Sequence, residues 1–378
     1  MLDLPDFPWD SLAPLKERAS SVATDDGLGL VDLSVGTPVD PTPAVVQEAL
    51  RSAADAPGYP QTRGTPALRE AVARWFATRR GVPDVDPDGV MPTIGSKELV
   101  AWLPTLLGLG AGDVVGFPSA AYPTYDVGAR LARATPRVVD GLAALGPLTP
   151  STTPKLLWVN SPGNPTGKVL GIPHLAKVVA WARRHGVVVA SDECYAELDW
   201  RTDRGSETAP TTPSILDPAV TGGSHEGLLA VYSLSKQSNL AGYRAAFVAG
   251  DPRLVRRLLE VRKHAGMIVP WPVQVALTAA VGDSAHVEAQ RAVYAARRET
   301  LLPAVRAFGL EVTDSDAGLY LWATAGEDAR VTLERLAEHG ILAAPGTFYG
   351  PGGRQHVRIA LTAPDDRIRA AAARLTAG

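Results

Sequence analysis

Leu156-Leu-Trp-Val159 leads into Asn160-Ser-Pro-Gly-Asn-Pro-Thr-Gly167, and Val187-Val-Val-Ala190 leads into Ser191-Asp-Glu-Cys-Tyr195. Each is a short apolar, β-rich run that ends in a polar turn, and a helical stretch, Pro173–His185, separates them. The unit recurs on either side. Val114–Phe117, Leu228–Tyr232 and Ala245–Ala249 are further apolar runs, and Glu98–Leu107 and Tyr125–Ala134 have helical spacing. Short buried strands alternating with helices predict βαβ units and a mostly parallel sheet covered on both faces. Ala245–Ala249 follows its neighbour too closely for a helical crossover, so it is the expected antiparallel member.

Working outward, prolines break the first forty residues into an arm with one extended piece, Leu30–Val35. Helices are expected at Ala44–Ala53 and Pro66–Arg79, and a long amphipathic one at Ser284–Phe308. Strand-like pieces at Leu319–Ala323 and His356–Leu361 then flank a helix at Thr332–His339. The expected organisation is α/β: residues 41–283 form a large domain, and residues 284–378 form a smaller α+β domain joined by the arm, 1–40. Ser206–Pro218 reads as a surface loop.

The 378 residues are 46% hydrophobic and 20% charged, which excludes a disordered or collagen-like chain. A formal charge of −3 gives no general electrostatic reason to bind nucleic acid or an anionic membrane. One cysteine, Cys194, rules out an intramolecular disulfide framework and a multi-cysteine metal site, and it reads as a small buried hydrophobe. Met1–Asp10 carries three acids and no apolar run, so no signal peptide is expected there, and no run of about 18 apolar residues predicts a membrane span. A cytoplasmic protein is the expectation. Only seven of the 37 basic residues are lysines, so each lysine can be weighed singly.

In an open parallel sheet, ligands bind beyond the carboxyl ends of the strands. There the chain places Asn164, Asp192, Tyr195, Ser233, Ser235 and Lys236, with Arg244 eight residues further on. Gly95-Ser-Lys97 opens the helix at Glu98. Pyridoxal 5′-phosphate needs this set: a lysine for its aldehyde, a carboxylate to keep its ring nitrogen protonated, and donors for its ring oxygen. Its phosphate needs backbone N–H groups, hydroxyls and a cation. Lys236 would take the aldehyde and shuttle protons, its apolar flanks Leu234 and Leu240 partly desolvating it. Asp192 would pair with the ring nitrogen, and Asn164 and Tyr195 with the ring oxygen. Ser96, the Lys97 backbone, Ser233, Ser235 and Arg244 would hold the phosphate. Taken singly, each has a plainer reading: a surface lysine, a helix N-cap at Asp192, a simple turn at Asn164. Their joint order after successive strands is what points to the cofactor.

The three segments Asn160–Gly167, Asp192–Tyr195 and Ser233–Arg244 resemble the signatures of the class I/II aminotransferases of PLP fold type I. The resemblance implies further roles. Tyr122 would stack on the cofactor ring, and Tyr59 would reach the phosphate of a neighbouring subunit. The Gly36 backbone would meet the substrate carboxylate, and Arg358 would clamp it. A planar guanidinium binds a carboxylate through two parallel hydrogen bonds, which fixes orientation as well as charge. A homodimer and a small-molecule amino donor with a 2-oxo acid acceptor are implied; no metal is.

Further segments extend the likeness to nearly the whole chain: Phe7–Asp10, Val31–Asp40, Glu98–Leu107, Arg262–Met267 and Phe348–Gly353. They resemble the actinobacterial type of N-succinyldiaminopimelate aminotransferase, which uses glutamate as amino donor. An anionic acylated substrate calls for basic groups in the side-chain pocket. Arg63, Arg262, Lys263 and His264 are candidates by type, although a run of basic residues also suits an exposed helix C-terminus. Alternatives are an aromatic, aspartate or acyl-ornithine aminotransferase, a β-lyase of the same fold using the same Lys236 and Asp192, and a non-catalytic sensor of amino compounds.

Overall fold

Seven strands make the central sheet: β1 Val90–Ile94, β2 Val114–Phe117, β3 Thr135–Val138, β4 Leu156–Asn160, β5 Val188–Asp192, β6 Leu228–Ser233 and β7 Ala245–Gly250. Their order is β1-β7-β6-β5-β4-β2-β3. The run β6-β5-β4-β2-β3 is parallel throughout, and β7 lies antiparallel to both its neighbours, as expected. The computed structural model describes residues 4–5, 8–22, 24, 26–149, 151–201 and 212–377. Phe7 and the first half of the expected loop, 206–211, lie outside the described residues.

Successive side chains of a strand point to opposite faces, so β6 serves two cores. Leu228, Ala230 and Tyr232 pack with Trp75, Phe76 and Phe247 on one face. Leu229 and Val231 pack with Met91, Trp158 and Val248 on the other. Helices Pro66–Arg79, Ile172–His185 and Trp271–Gly282 cover the first face, and Gly95–Leu106, Thr124–Leu131 and Pro252–His264 cover the second. This is the expected α/β fold. A third core lies around a four-stranded sheet that includes Tyr320–Thr324 and Val357–Ala360, with the long helix Ala285–Ala307 beside it. Val31 and Leu33 of the N-terminal arm belong to that third core, and Val31–Asp32 pairs in parallel with Ile341–Leu342.

Every expected strand and helix is present with small shifts at its ends. Two central strands were not expected. β1 contains Pro92 and β3 contains Pro136, which hide a strand pattern; both are edge strands, where proline is tolerated. The second half of the expected surface loop is instead buried: the Ser214 hydroxyl and the Ile215 N–H donate to Glu193 Oε1 at 3.1 and 2.8 Å.

Candidate active site

The carboxyl ends of β4, β5 and β6 lie side by side, with Asn160 paired to Asp192 and Asp192 to Val231. A cleft of about 760 Å³ opens above them. Ser96, Lys97, Tyr122, Asn164, Asp192 and Tyr195 line it, together with Ser233, Ser235, Lys236 and Arg244. Gly36 reaches it from the arm and Arg358 from the smaller sheet. Twelve of the fourteen residues assigned from sequence to the cofactor and the α-carboxylate therefore line one cleft. Gly95 lies just behind it. Tyr59 does not: it is fully exposed and outside this chain's own cleft.

Local geometry explains the placement. The Asn160 side chain accepts from the Asn164 N–H at 2.7 Å and donates to the Asp192 carbonyl at 2.9 Å, which ties the turn after β4 to the end of β5. Asp192 is buried; its Oδ2 accepts from the Tyr125 hydroxyl at 2.9 Å and its Oδ1 from the Cys194 N–H at 3.2 Å. Burial pushes the Asp192 carboxyl up, and the Cys194 thiol, the Tyr125 hydroxyl and the Cys194 N–H pull it partly back. Such a carboxylate is stabilised by a cation beside it, and a protonated ring nitrogen would be one. Lys236 follows β6, on a single helical turn capped by Ser233, and its Nζ donates to the Gly36 carbonyl.

The phosphate side is built around a close approach. Gly95 starts the helix Gly95–Leu106 at φ +72°, and a Cβ there would stand 2.1 Å from Arg244 Nη2. The Gly95 N–H donates to the Arg244 carbonyl at 2.8 Å. A helix N-terminus, a guanidinium and the Ser233–Ser235 hydroxyl pair, 2.9 Å apart, thus converge on one corner, which suits a phosphate.

At the opposite end Arg358 is buried. Nη1 donates to Asn164 Oδ1 at 3.1 Å and Nη2 to the Ser34 carbonyl at 2.9 Å, while Nε has no hydrogen-bond partner among the described residues. Each terminal nitrogen keeps a second N–H for a carboxylate. The guanidinium lies 3.8 Å from the Tyr320 ring centre and 4.8 Å from that of Tyr349. Tyr125, Tyr320 and Tyr349 carried no separate signal in the sequence, because their roles come from partners far along the chain. The donor set fits pyridoxal phosphate: one cleft carries a carboxylate for a ring nitrogen, a lysine for an aldehyde and an anion corner for a phosphate.

The basic pocket candidates are not brought to this cleft. Arg63 pairs with Asp88 at 2.6 Å, and Arg262 is buried against Glu98 at 2.7 Å with its other terminal nitrogen on the Met267 carbonyl. Lys263 and His264 are exposed in the last turn of Pro252–His264, where the helix dipole favours cations. Apolar residues complete the lining of the cleft instead: Leu4, Pro8, Trp9, Val35, Ala101 and Val127.

The sequence profile of the family described as aminotransferase class I and II matches residues 29–375. The chain is 56% identical over 376 residues, covering 100% of both chains, to the 4-dedimethylamino-4-oxo-anhydrotetracycline transaminase of Streptomyces rimosus. It is 57% identical over 373 residues to a probable aminotransferase of Mycobacterium tuberculosis, covering 99% of this chain and 85% of the relative. Among solved structures, a probable N-succinyldiaminopimelate aminotransferase from Thermus thermophilus superposes with a TM-score of 0.82 at 29% identity, covering 98% of this chain and 100% of that one.

Proposed function

The chain belongs to the class I and II aminotransferases, enzymes that depend on pyridoxal 5′-phosphate, and on that premise we propose that it transaminates N-succinyl-LL-2,6-diaminopimelate with 2-oxoglutarate. The observation that carries the chemistry is the convergence of Lys236, Asp192 and Arg358 on one cleft. Bound pyridoxal phosphate supplies an aldehyde that takes the amino group and a ring that accepts the electron pair released at the substrate α-carbon. Arg358 grips the α-carboxylate and fixes which α-hydrogen faces Lys236. Lys236 Nζ takes that proton as a general base and, as a general acid, would deliver it to the cofactor carbon that had carried the aldehyde oxygen. Asp192 would accept a hydrogen bond from the ring N–H and so keep that nitrogen protonated, and Tyr195 and Asn164 would donate to the ring oxygen. Ser96, Ser233, Ser235 and Arg244, with the backbone at Gly95–Lys97, hold the phosphate, and Tyr122 packs on the ring.

The whole-chain likeness to the succinylated-substrate type supports the substrate. The apolar lining from Leu4 to Val127 favours a second reading, a bulky cyclic ketone of the kind named for the Streptomyces relative. We also assign a cytoplasmic homodimer in which Tyr59 completes the neighbour's phosphate corner, and the division at 40 and 283 into arm, large and small domains.

The test is a single turnover. The protein is loaded with cofactor, its absorption band recorded, and N-succinyl-LL-diaminopimelate added, with Lys236→Ala beside it. Rapid loss of the band, absent in the variant, is expected. A band that ignores this compound but responds to a bulky cyclic amine overturns the substrate, and release of pyruvate from a β-substituted amino acid would point to a lyase. No band at all, even with added cofactor, overturns the site.

A further inference from the structure

We propose that Tyr320 is a positioning residue that donates its hydroxyl proton to Tyr195 Oη and so links the carboxylate clamp at Arg358 to the phenol facing the cofactor ring. The proposal rests on the roles just given to Tyr195 and Arg358. Tyr320 opens the strand Tyr320–Thr324, whose partner Val357–Ala360 sets Tyr320 opposite Ala360 and Trp322 opposite Arg358. Tyr320 and Arg358 are therefore diagonal neighbours on one face, within reach of long side chains. That register lays the guanidinium 3.8 Å from the Tyr320 ring centre. At the other end of the ring, Tyr320 Oη lies 3.1 Å from Tyr195 Oη, with the two rings edge to face.

The hydroxyl has a prepared seat. A Cβ at position 36 would fall 2.0 Å from Tyr320 Oη, so the glycine leaves the room that the hydroxyl fills. The same Gly36 carbonyl accepts from Lys236 Nζ. One hydroxyl thus touches the Gly36 backbone and Tyr195 while its ring carries Arg358.

Two hydroxyls at 3.1 Å leave open which one donates, and their surroundings decide it. The titratable groups around Tyr320 are Arg358, Lys236, Tyr195, Tyr122, Tyr349 and Tyr294. The Arg358 guanidinium lies 3.8 Å from the Tyr320 ring centre, and a cation held on that ring makes the Tyr320 O–H the more acidic of the two; burial pushes both phenols up, but Arg358 and Lys236 pull Tyr320 below the ordinary phenol value while Tyr195 stays above it. The more acidic O–H donates. Tyr195 then has its own hydrogen available for the cofactor's ring oxygen, and donation into its oxygen strengthens that second bond by about 10–30%. A carboxylate arriving at Arg358 cancels part of the field on Tyr320 and weakens the relay. Occupancy of the clamp is felt at the cofactor ring without any movement of the backbone.

The experiment uses the holoenzyme and two variants. Tyr320→Phe removes the oxygen but keeps the ring under Arg358; Tyr320→Leu removes both. For each, the pH midpoint of the cofactor's absorption band is titrated with and without glutarate, a carboxylate that carries no amino group. Steady-state kcat and KM for the amino donor follow. With the relay gone, the ring oxygen's anion is less stabilised. The Phe variant is therefore expected to show a midpoint raised by about 0.3–1 pH unit, a smaller rise on adding glutarate, and kcat lower by about 3- to 10-fold with KM within about twofold. The Leu variant is expected to add a rise in KM of about tenfold. A Phe variant with the wild-type midpoint and the wild-type response to glutarate overturns the relay, even if its kcat is lower. A wild-type band that fails to respond to any amino donor overturns the proposed function itself, and this inference with it.

Discussion

Replacing Gly95 by alanine should separate cofactor affinity from fold stability. Two costs follow from the geometry. The backbone at φ +72° suits glycine, and an L-residue held there costs about 1–2 kcal/mol. The new Cβ also stands 2.1 Å from Arg244 Nη2 and 2.7 Å from its Cζ, far inside any real contact distance. Arg244 is exposed and its guanidinium ends a flexible side chain held by one bond, from Nη1 to the Ala241 carbonyl at 2.7 Å, so swinging it away costs the fold about 0.5–1.5 kcal/mol. What it leaves is the phosphate corner. A charge-assisted hydrogen bond contributes about 1.5–3 kcal/mol, so cofactor affinity should fall about 10- to 150-fold. Arg244→Gln should lose a similar factor with no backbone strain, and the double variant should bind little worse than Arg244→Gln, because both changes remove one contact. Fluorescence titration of the apoenzymes with pyridoxal phosphate gives the dissociation constants, and thermal melts of the apoenzymes give the strain. Losses in affinity that simply add in the double variant, or Gly95→Ala binding as tightly as wild type, would refute the placement of Arg244 on the phosphate.

Two further outcomes are expected. Arg80 and Glu193 form an ion pair buried to 2% and 1% exposure, so Arg80→Met should destabilise the protein by about 3–5 kcal/mol, measured by denaturant unfolding. Burial already raises the Glu193 carboxyl, and such a group stabilises the fold below its unfolded value and loses that contribution as pH rises through its folded value. The Arg80→Met deficit should therefore shrink between pH 8 and pH 5, and a deficit independent of pH would count against it. The Asp192 carboxyl is raised by burial as well, so the apoenzyme carries that cost at neutral pH. Asp192→Asn should raise the melting temperature of the apoenzyme at pH 8, with the gain fading toward pH 4, while turnover is lost; an unchanged apo melting temperature would argue that Asp192 is well compensated without the cofactor.

Lys236, Asp192 and Asn164 were legible because the chain spells their position twice, once as an apolar run and once as the polar turn that ends it. Arg358 was found through its family motif alone; nothing in the spacing of His356-Val-Arg358 says that its strand faces the cleft. Tyr320 was invisible because its role is set by register with a strand 38 residues later and by the space at Gly36. Arg262 failed for the same kind of reason. In sequence it is one of three adjacent basic residues, and only the fold reveals Glu98 at 2.7 Å, drawing it into the core. Residue type and local period are written locally, whereas partnership is settled when elements meet. Sequence reading therefore finds strand-end chemistry more readily than the walls of a pocket.

The clamp and the lysine sit on different cores. Lys236 is fixed by β6 of the central sheet, and Arg358 by the smaller sheet, whose core also holds Val31 and Leu33 of the arm. The arm joins them: the Ser34 carbonyl accepts from Arg358 Nη2, and two residues on the Gly36 carbonyl accepts from Lys236 Nζ. Val31 and Leu33 flank exposed Asp32 along an extended segment, so burying those two side chains in the third core sets the course of the chain into Ser34 and Gly36. A one-residue slip of this arm would expose Val31 and Leu33 and carry both carbonyls off their donors together. The distance between the carboxylate clamp and the proton-transferring amine is thus held by the apolar register of Val31 and Leu33, which are themselves nowhere in the cleft.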